Sequence, residues 1–211
     1  MNELEFIRRQ VSTERLHMAA VRGATAAALT VPADERPGTD FLLACARYLV
    51  FIVGRFNAQD QAHCDLLRAR VPDDAASDRE MLEDLDRTLA ASRKALDSLA
   101  SALREREAAG DTGDDAAFVA ALRGYLSFYS NVLASRRHAL QHLFEAHYTV
   151  AEWRAASSVD ADSILEERQR YSRVADLLPE GIALAALASD APPLGAAAGR
   201  DLPDSRHAPG R

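Results

Sequence analysis

Two short stretches carry residue types and spacings that could bind a cation. "ERLH" sets Glu14 three residues before His17, and "DQAH" sets Asp60 three residues before His63. On a helix, each spacing puts a carboxylate and an imidazole one turn apart on one face. Carboxylate-x-x-His pairs of this kind supply ligands in di-iron helical bundles. A third stretch, "HALQHLFEAH", brings together His138, His142, Glu145 and His147. At 100° per residue, His138, His142 and Glu145 share a stripe nearly opposite Leu140, Leu143 and Phe144, so they form an outer-face cluster. They could hold a metal at an interface or form a solvated polar face. No strand-turn-helix elbow is present to expose a nucleophilic serine. Cys64 points about 100° away from its neighbour His63, which excludes a reactive pair.

The elements that must position these residues follow from hydrophobic periodicity. Four long helices are expected, at about 3–30, 40–71, 77–108 and 115–150, with a shorter fifth at about 163–178. The first carries Leu4, Ile7, Val11, Met18 and Val21 at 3–4 spacing, and the third carries Leu82, Leu85, Leu89, Leu96, Leu99 and Leu103. Breaks rich in Pro, Gly and Asp separate them. Capping boxes are expected at Ser77 with Glu80 and at Ser163 with Glu166. Short connections favour antiparallel neighbours. The expected fold is therefore all-α: an up-down-up-down four-helix bundle with an additional short C-terminal helix. The bundle domain is expected to span residues 1–188. Residues 189–211, rich in Pro, Gly and Ala without periodicity, read as a disordered tail.

Within that bundle, several polar residues interrupt the inward stripes. Glu14 falls between Val11 and Met18. Asp60 and His63 continue the face of Leu49 and Phe56, with Gln59 at its edge. Arg136 continues the face of Tyr129, Leu133 and Leu140. Counting from the loops places these residues at one height, whereas His147 falls roughly 16 Å further along. Two readings of the layer follow. Glu14, His17, Asp60 and His63 could bind a metal. Alternatively, Glu14, Gln59, Asp60, His63 and Arg136 form a buried polar layer whose charges pair with one another. An arginine in the layer favours the second, because a guanidinium repels a cation and neutralises a carboxylate.

The order of these parts resembles the hemerythrin-like (HHE cation-binding) family. The resemblance spans about residues 5 to 155. "ERLHMAAVRGATAAAL" is similar to that family's first helix, with His17 at its histidine, and "LFEAHYTVAEW" to the segment closing its fourth. "RFNAQDQAH" is similar to its second-helix pattern of His-Phe-x-x-Glu-Glu, with Arg55 at the histidine and Gln59 at the first carboxylate. The third helix contains no histidine. The resemblance implies a bundle that in the family can hold two irons; with this ligand set, His17, Asp60 and His63 could retain one metal at most. It points to a non-enzymatic regulatory or protein-interaction domain with a degenerate site. The alternative is an iron-binding protein for oxygen or iron sensing or handling.

Composition bounds these readings. The chain has 211 residues, 48% hydrophobic and 27% charged, which suits one globular domain with a sizeable core. The net charge of −7 argues against nucleic acid or an anionic membrane as partner. A protein partner or a homodimer remains open. Residues 41–53 are apolar apart from Arg47 but fall short of the ~20 residues that span a bilayer, so they are expected to be a buried segment. "MNELEFIRRQ" lacks the apolar centre of a signal peptide. Cys45 and Cys64, expected on one helix, would lie roughly 28 Å apart and cannot pair with each other. Two unpaired thiols suit the cytoplasm.

Overall fold

The computed structural model describes residues 3–32, 38–110, 114–133, 148–157 and 159–184. It is all-α, and no strand occurs among these residues. The helices are α1 (Glu3–Thr30), α2 (Thr39–Arg68), α3 (Ala76–Ala109), α4 (Ala116–Phe128), α5 (Val150–Ala156) and α6 (Ala161–Asp176). A π-helical segment, Tyr129–Leu133, extends α4.

Side-chain pairs fix how the long helices run. Glu14 meets Arg55 and, further along α1, Thr25 bonds Cys45 nearer the start of α2, so α1 and α2 are antiparallel. Arg47–Glu107, Asn57–Ser92 and Cys64–Asp86 set α2 antiparallel to α3. Arg123 donates to the Leu29 carbonyl at 2.8 Å, and the Arg22 guanidinium lies 3.4 Å from the Tyr129 ring centroid, so α4 descends along α1. One continuous core runs through these helices, with Tyr48, Leu49, Ile52, Leu99 and Leu122 fully enclosed. A smaller apolar cluster of Cys64, Leu67, Val71 and Leu82 closes the end where α2 turns into α3.

α2 is the central element. It packs against α1, α3 and α6. By length and composition alone α2 could cross a membrane, but 67% of its most apolar stretch is buried inside the chain. That burial is what the apolar run from residue 41 to 53 serves.

Helix ends differ from expectation in three places. α3 starts at Ala76, with Ala75 as N-cap and no side-chain cap, so Ser77 and Glu80 form no capping box. The turn before it is instead fastened by Arg79, which donates to the Pro72 and Val71 carbonyls and pairs with Asp73. α6 starts three residues earlier than the Ser163–Glu166 box implies, because Asp160 is the N-cap and Ser163 its reciprocal partner. The helix expected to run to 150 turns π-helical at Tyr129, and Tyr148 and Thr149 are not helical. Thr149 and Glu152 bond reciprocally at the start of α5, which is the capping-box arrangement at a place the sequence pattern treats as the end of the fourth helix. Gly110 ends α3 at φ 60°, a conformation open to glycine at little steric cost.

Candidate functional site

Among the described residues, a buried polar cluster lies where α1, α2 and α6 meet. It is built on two glutamates with no exposed surface, Glu14 of α1 and Glu167 of α6. Each occupies a position in an otherwise apolar stripe: Glu14 between Val11 and Met18, Glu167 between Ile164 and Val174. A buried carboxylate is tolerated only when its charge is met by donors. Glu14 Oε1 accepts from Gln10 Nε2 at 3.1 Å and from Arg55 Nη1 at 3.2 Å. Glu167 Oε1 accepts from the Tyr48 hydroxyl at 2.8 Å and lies 2.9 Å from His17 Nδ1. The donors converge on one oxygen of each carboxylate. Oε2 of Glu14 and Oε2 of Glu167 are buried and have no partner among the described residues.

Aromatic rings complete the cluster. The His17 ring stacks on Tyr171, centroids 3.8 Å apart and planes 11° from parallel. Tyr171 also tilts against Tyr48. Phe51 lies beneath both the Arg55 and Arg170 guanidinium groups, at 5.6 and 4.9 Å from its centroid. Burial pushes the Tyr48 phenol pKa well up, and the Glu167 charge and hydrogen bond, then the Glu14 charge, push it further. Tyr48 is therefore a fixed donor and not an acid that functions near neutral pH. His17 keeps 26% of its side chain exposed, so the cluster reaches solvent on that edge.

A second polar group lies further along α2. The His63 Nδ1 is 2.9 Å from the Tyr148 hydroxyl, which donates to the His63 carbonyl at 3.0 Å. Burial, with the Arg15 charge adding to it, lowers the His63 pKa to about 4. The Cys64 thiol donates to Asp86 at 3.2 Å, and Arg68 also pairs with that carboxylate. Burial opposes the Asp86 charge, but the Cys64 and Arg68 hydrogen bonds outweigh it and hold the carboxyl below its usual range. Midway between the two groups, Ser92 of α3 donates to Asn57 Oδ1 at 2.9 Å.

The expected metal residues are thus divided. Glu14 and His17 point into the α1–α2–α6 cluster, each bonded to groups the sequence pattern did not pair with it. His63 lies two turns beyond Arg55, about 12 Å along the axis, and is bonded to Tyr148. Asp60 is half-buried and bonds to neither Glu14 nor Glu167, and Gln59 is buried. Among the described residues, no group of three or more His, Cys, Asp or Glu side chains is placed to hold a metal ion. Arg136, His138, His142, Glu145 and His147 lie outside the described residues.

Glu167, Tyr48 and Arg55 are the members that inward-stripe reasoning missed. Glu167 had a signal: Ile164, Glu167, Tyr171 and Val174 fall on one face of α6, so the same search for polar interruptions extends to the fifth helix. Arg55 had a weaker one, standing a turn before Gln59 at the edge of the face. No family model, curated protein or solved structure matches this chain.

Proposed function

We propose that the chain is a hemerythrin-like, up-down-up-down four-helix bundle with a degenerate metal site, serving as a non-enzymatic regulatory or protein-interaction domain of the cytoplasm. One observation carries this reading. Arg55, which stands where the resemblance implies a histidine ligand, donates to the fully buried Glu14 at 3.2 Å. A guanidinium held there supplies the positive charge a buried carboxylate needs and repels a metal ion from the same place. The α1–α2, α2–α3 and α1–α4 antiparallel contacts support the bundle arrangement, with α6 docked on the α1–α2 face. Two buried free thiols, Cys45 and Cys64, support the cytoplasmic placement.

A second reading, iron held for oxygen or iron sensing, is favoured by the two unpartnered oxygens, Glu14 Oε2 and Glu167 Oε2, together with His17 beside Glu167. Elemental analysis of protein purified from iron-supplemented cells separates the two. Iron far below one per chain is expected for the degenerate site. Stoichiometric iron that is lost in Glu14→Gln would replace the first reading with the second.

A further inference from the structure

The outward side of the α2–α3 pair carries a shallow groove. α2 lines it with Gly54, Ala58 and Ala62 at four-residue intervals, and α3 lines the opposite wall with Arg93, Leu96 and Asp97. Arg93 and Asp97 also line a neighbouring depression that continues along α3 to Ser101. Glycine in a helix interior lowers stability relative to alanine. Nothing described within the chain requires it at position 54: an added Cβ would meet only Leu96 Cδ2, at an ordinary 3.9 Å. The missing side chain opens a notch toward the outside instead.

A second observation comes from the groove's own lining. Asn57 lines the groove and is 6% exposed. Its Oδ1 is taken by Ser92, while its Nδ2 has no acceptor among the described residues. A buried amide donor left unfilled favours an oxygen brought from outside.

The charges on the wall indicate what would bring it. Arg93 donates across the groove to Gln61 Oε1 at 2.8 Å and pairs with no carboxylate among the described residues. Asp97, one turn further on, likewise has no partner among them. One wall thus presents an unpaired cation and an unpaired anion side by side. A two-fold axis over the groove sets Arg93 of each copy opposite Asp97 of the other, so a single surface satisfies both charges twice. We propose that this groove is the isologous docking surface for a second copy of the chain, with the Gly54–Ala58–Ala62 floor allowing close helix approach. The proposal rests on reading the chain as an interaction domain and is independent of metal content.

Sedimentation equilibrium of the full 22.9 kDa chain over a concentration series tests it. A reversible dimer is expected. Ala58 is exposed, so Ala58→Arg should leave the far-ultraviolet circular dichroism, and the Tm measured below the wild-type dimer Kd, unchanged while raising the dimer Kd about 100-fold or more. Arg93→Asp and Asp97→Arg should each weaken the dimer, and the two together should restore it. A monomer up to millimolar concentration, or a dimer indifferent to Ala58→Arg, would overturn the proposal. So would a double charge swap that restores nothing. A metal-free monomer would remove this surface and leave the degenerate-site reading intact, whereas an iron-loaded dimer would do the reverse.

Discussion

The Tyr48 hydroxyl of α2 donates a 2.8 Å hydrogen bond to Glu167 of α6, and both residues are wholly buried. That bond makes the last helix part of the polar interior. α6 buries only Glu167 and Val174 completely, so its seat on α1 and α2 depends unusually on one carboxylate and the donors around it.

Removing that carboxylate should therefore cost more than trimming its donors. Glu167→Ala strands the Tyr48 hydroxyl and frees His17, and we expect a loss of about 3 kcal/mol in equilibrium urea unfolding. Tyr48→Phe, which removes one donor and leaves His17 in place, should cost about 1 kcal/mol. Equal, near-zero losses would show that α6 is held by apolar contact alone.

The His63 environment predicts a pH dependence of stability. His63 is 3% exposed, and burial first, then the Arg15 charge, lowers its pKa to about 4 from an ordinary value of about 6.5. Between those values the unfolded chain binds a proton that the folded chain does not. The His63 contribution is thus complete above about pH 6.5, falls as pH drops toward 4, and levels off below it. The total involved is at most about 3 kcal/mol. Because carboxylates titrate in the same window, the measurement is the difference between wild type and His63→Gln from pH 7 to 4. A wild-type curve parallel to that of the variant would contradict the burial argument.

Much of this was legible in the sequence. Apolar periodicity places α1 to α3 within a few residues, because their stripes run long enough to outlast single polar interruptions such as Glu14. Helix starts were less legible: Ser77 satisfied a pattern, yet Arg79 binding back to Pro72 and Val71 decided where α3 begins. Glu14 was recognisable as a buried polar residue from its place in the stripe. Its partner was not, because stripe position reports which way a residue faces and not which long side chain reaches it. Arg55 is at the edge of the α2 face and arrives at Glu14 through the length of its side chain. The Glu14-x-x-His17 spacing and the family resemblance group His17 with Asp60 and His63, whereas α6, a helix outside that grouping, takes it.

Thiol reactivity gives a third test. Cys45 and Cys64 have no exposed surface, and burial before any other cause pushes each thiol pKa to about 12. Since the thiolate is the reactive form, both should resist Ellman's reagent at pH 8 in the native state. Two thiols per chain should titrate in guanidinium chloride. Rapid native labelling of Cys64 would mean that the Asp86–Arg68 side of α2 opens readily.

The Arg55–Glu14 pair is best resolved by a double-mutant cycle. Glu14 is fully enclosed, and among the described residues Arg55 supplies its only cationic donor, with Gln10 as the neutral one. Arg55→Met should destabilise the fold by about 3 kcal/mol, because it leaves a buried carboxylate with one neutral hydrogen bond and an unfilled Oε2. Glu14→Met should cost less, since Arg55 is 16% exposed and can turn its guanidinium to water over Phe51. Combining both removes the charge that the first variant strands, so the double variant should be no less stable than Glu14→Met alone. A coupling energy near zero would mean that the two side chains do not meet in solution. If added ferrous iron restores the stability lost in Arg55→Met, the guanidinium occupies the place of a metal.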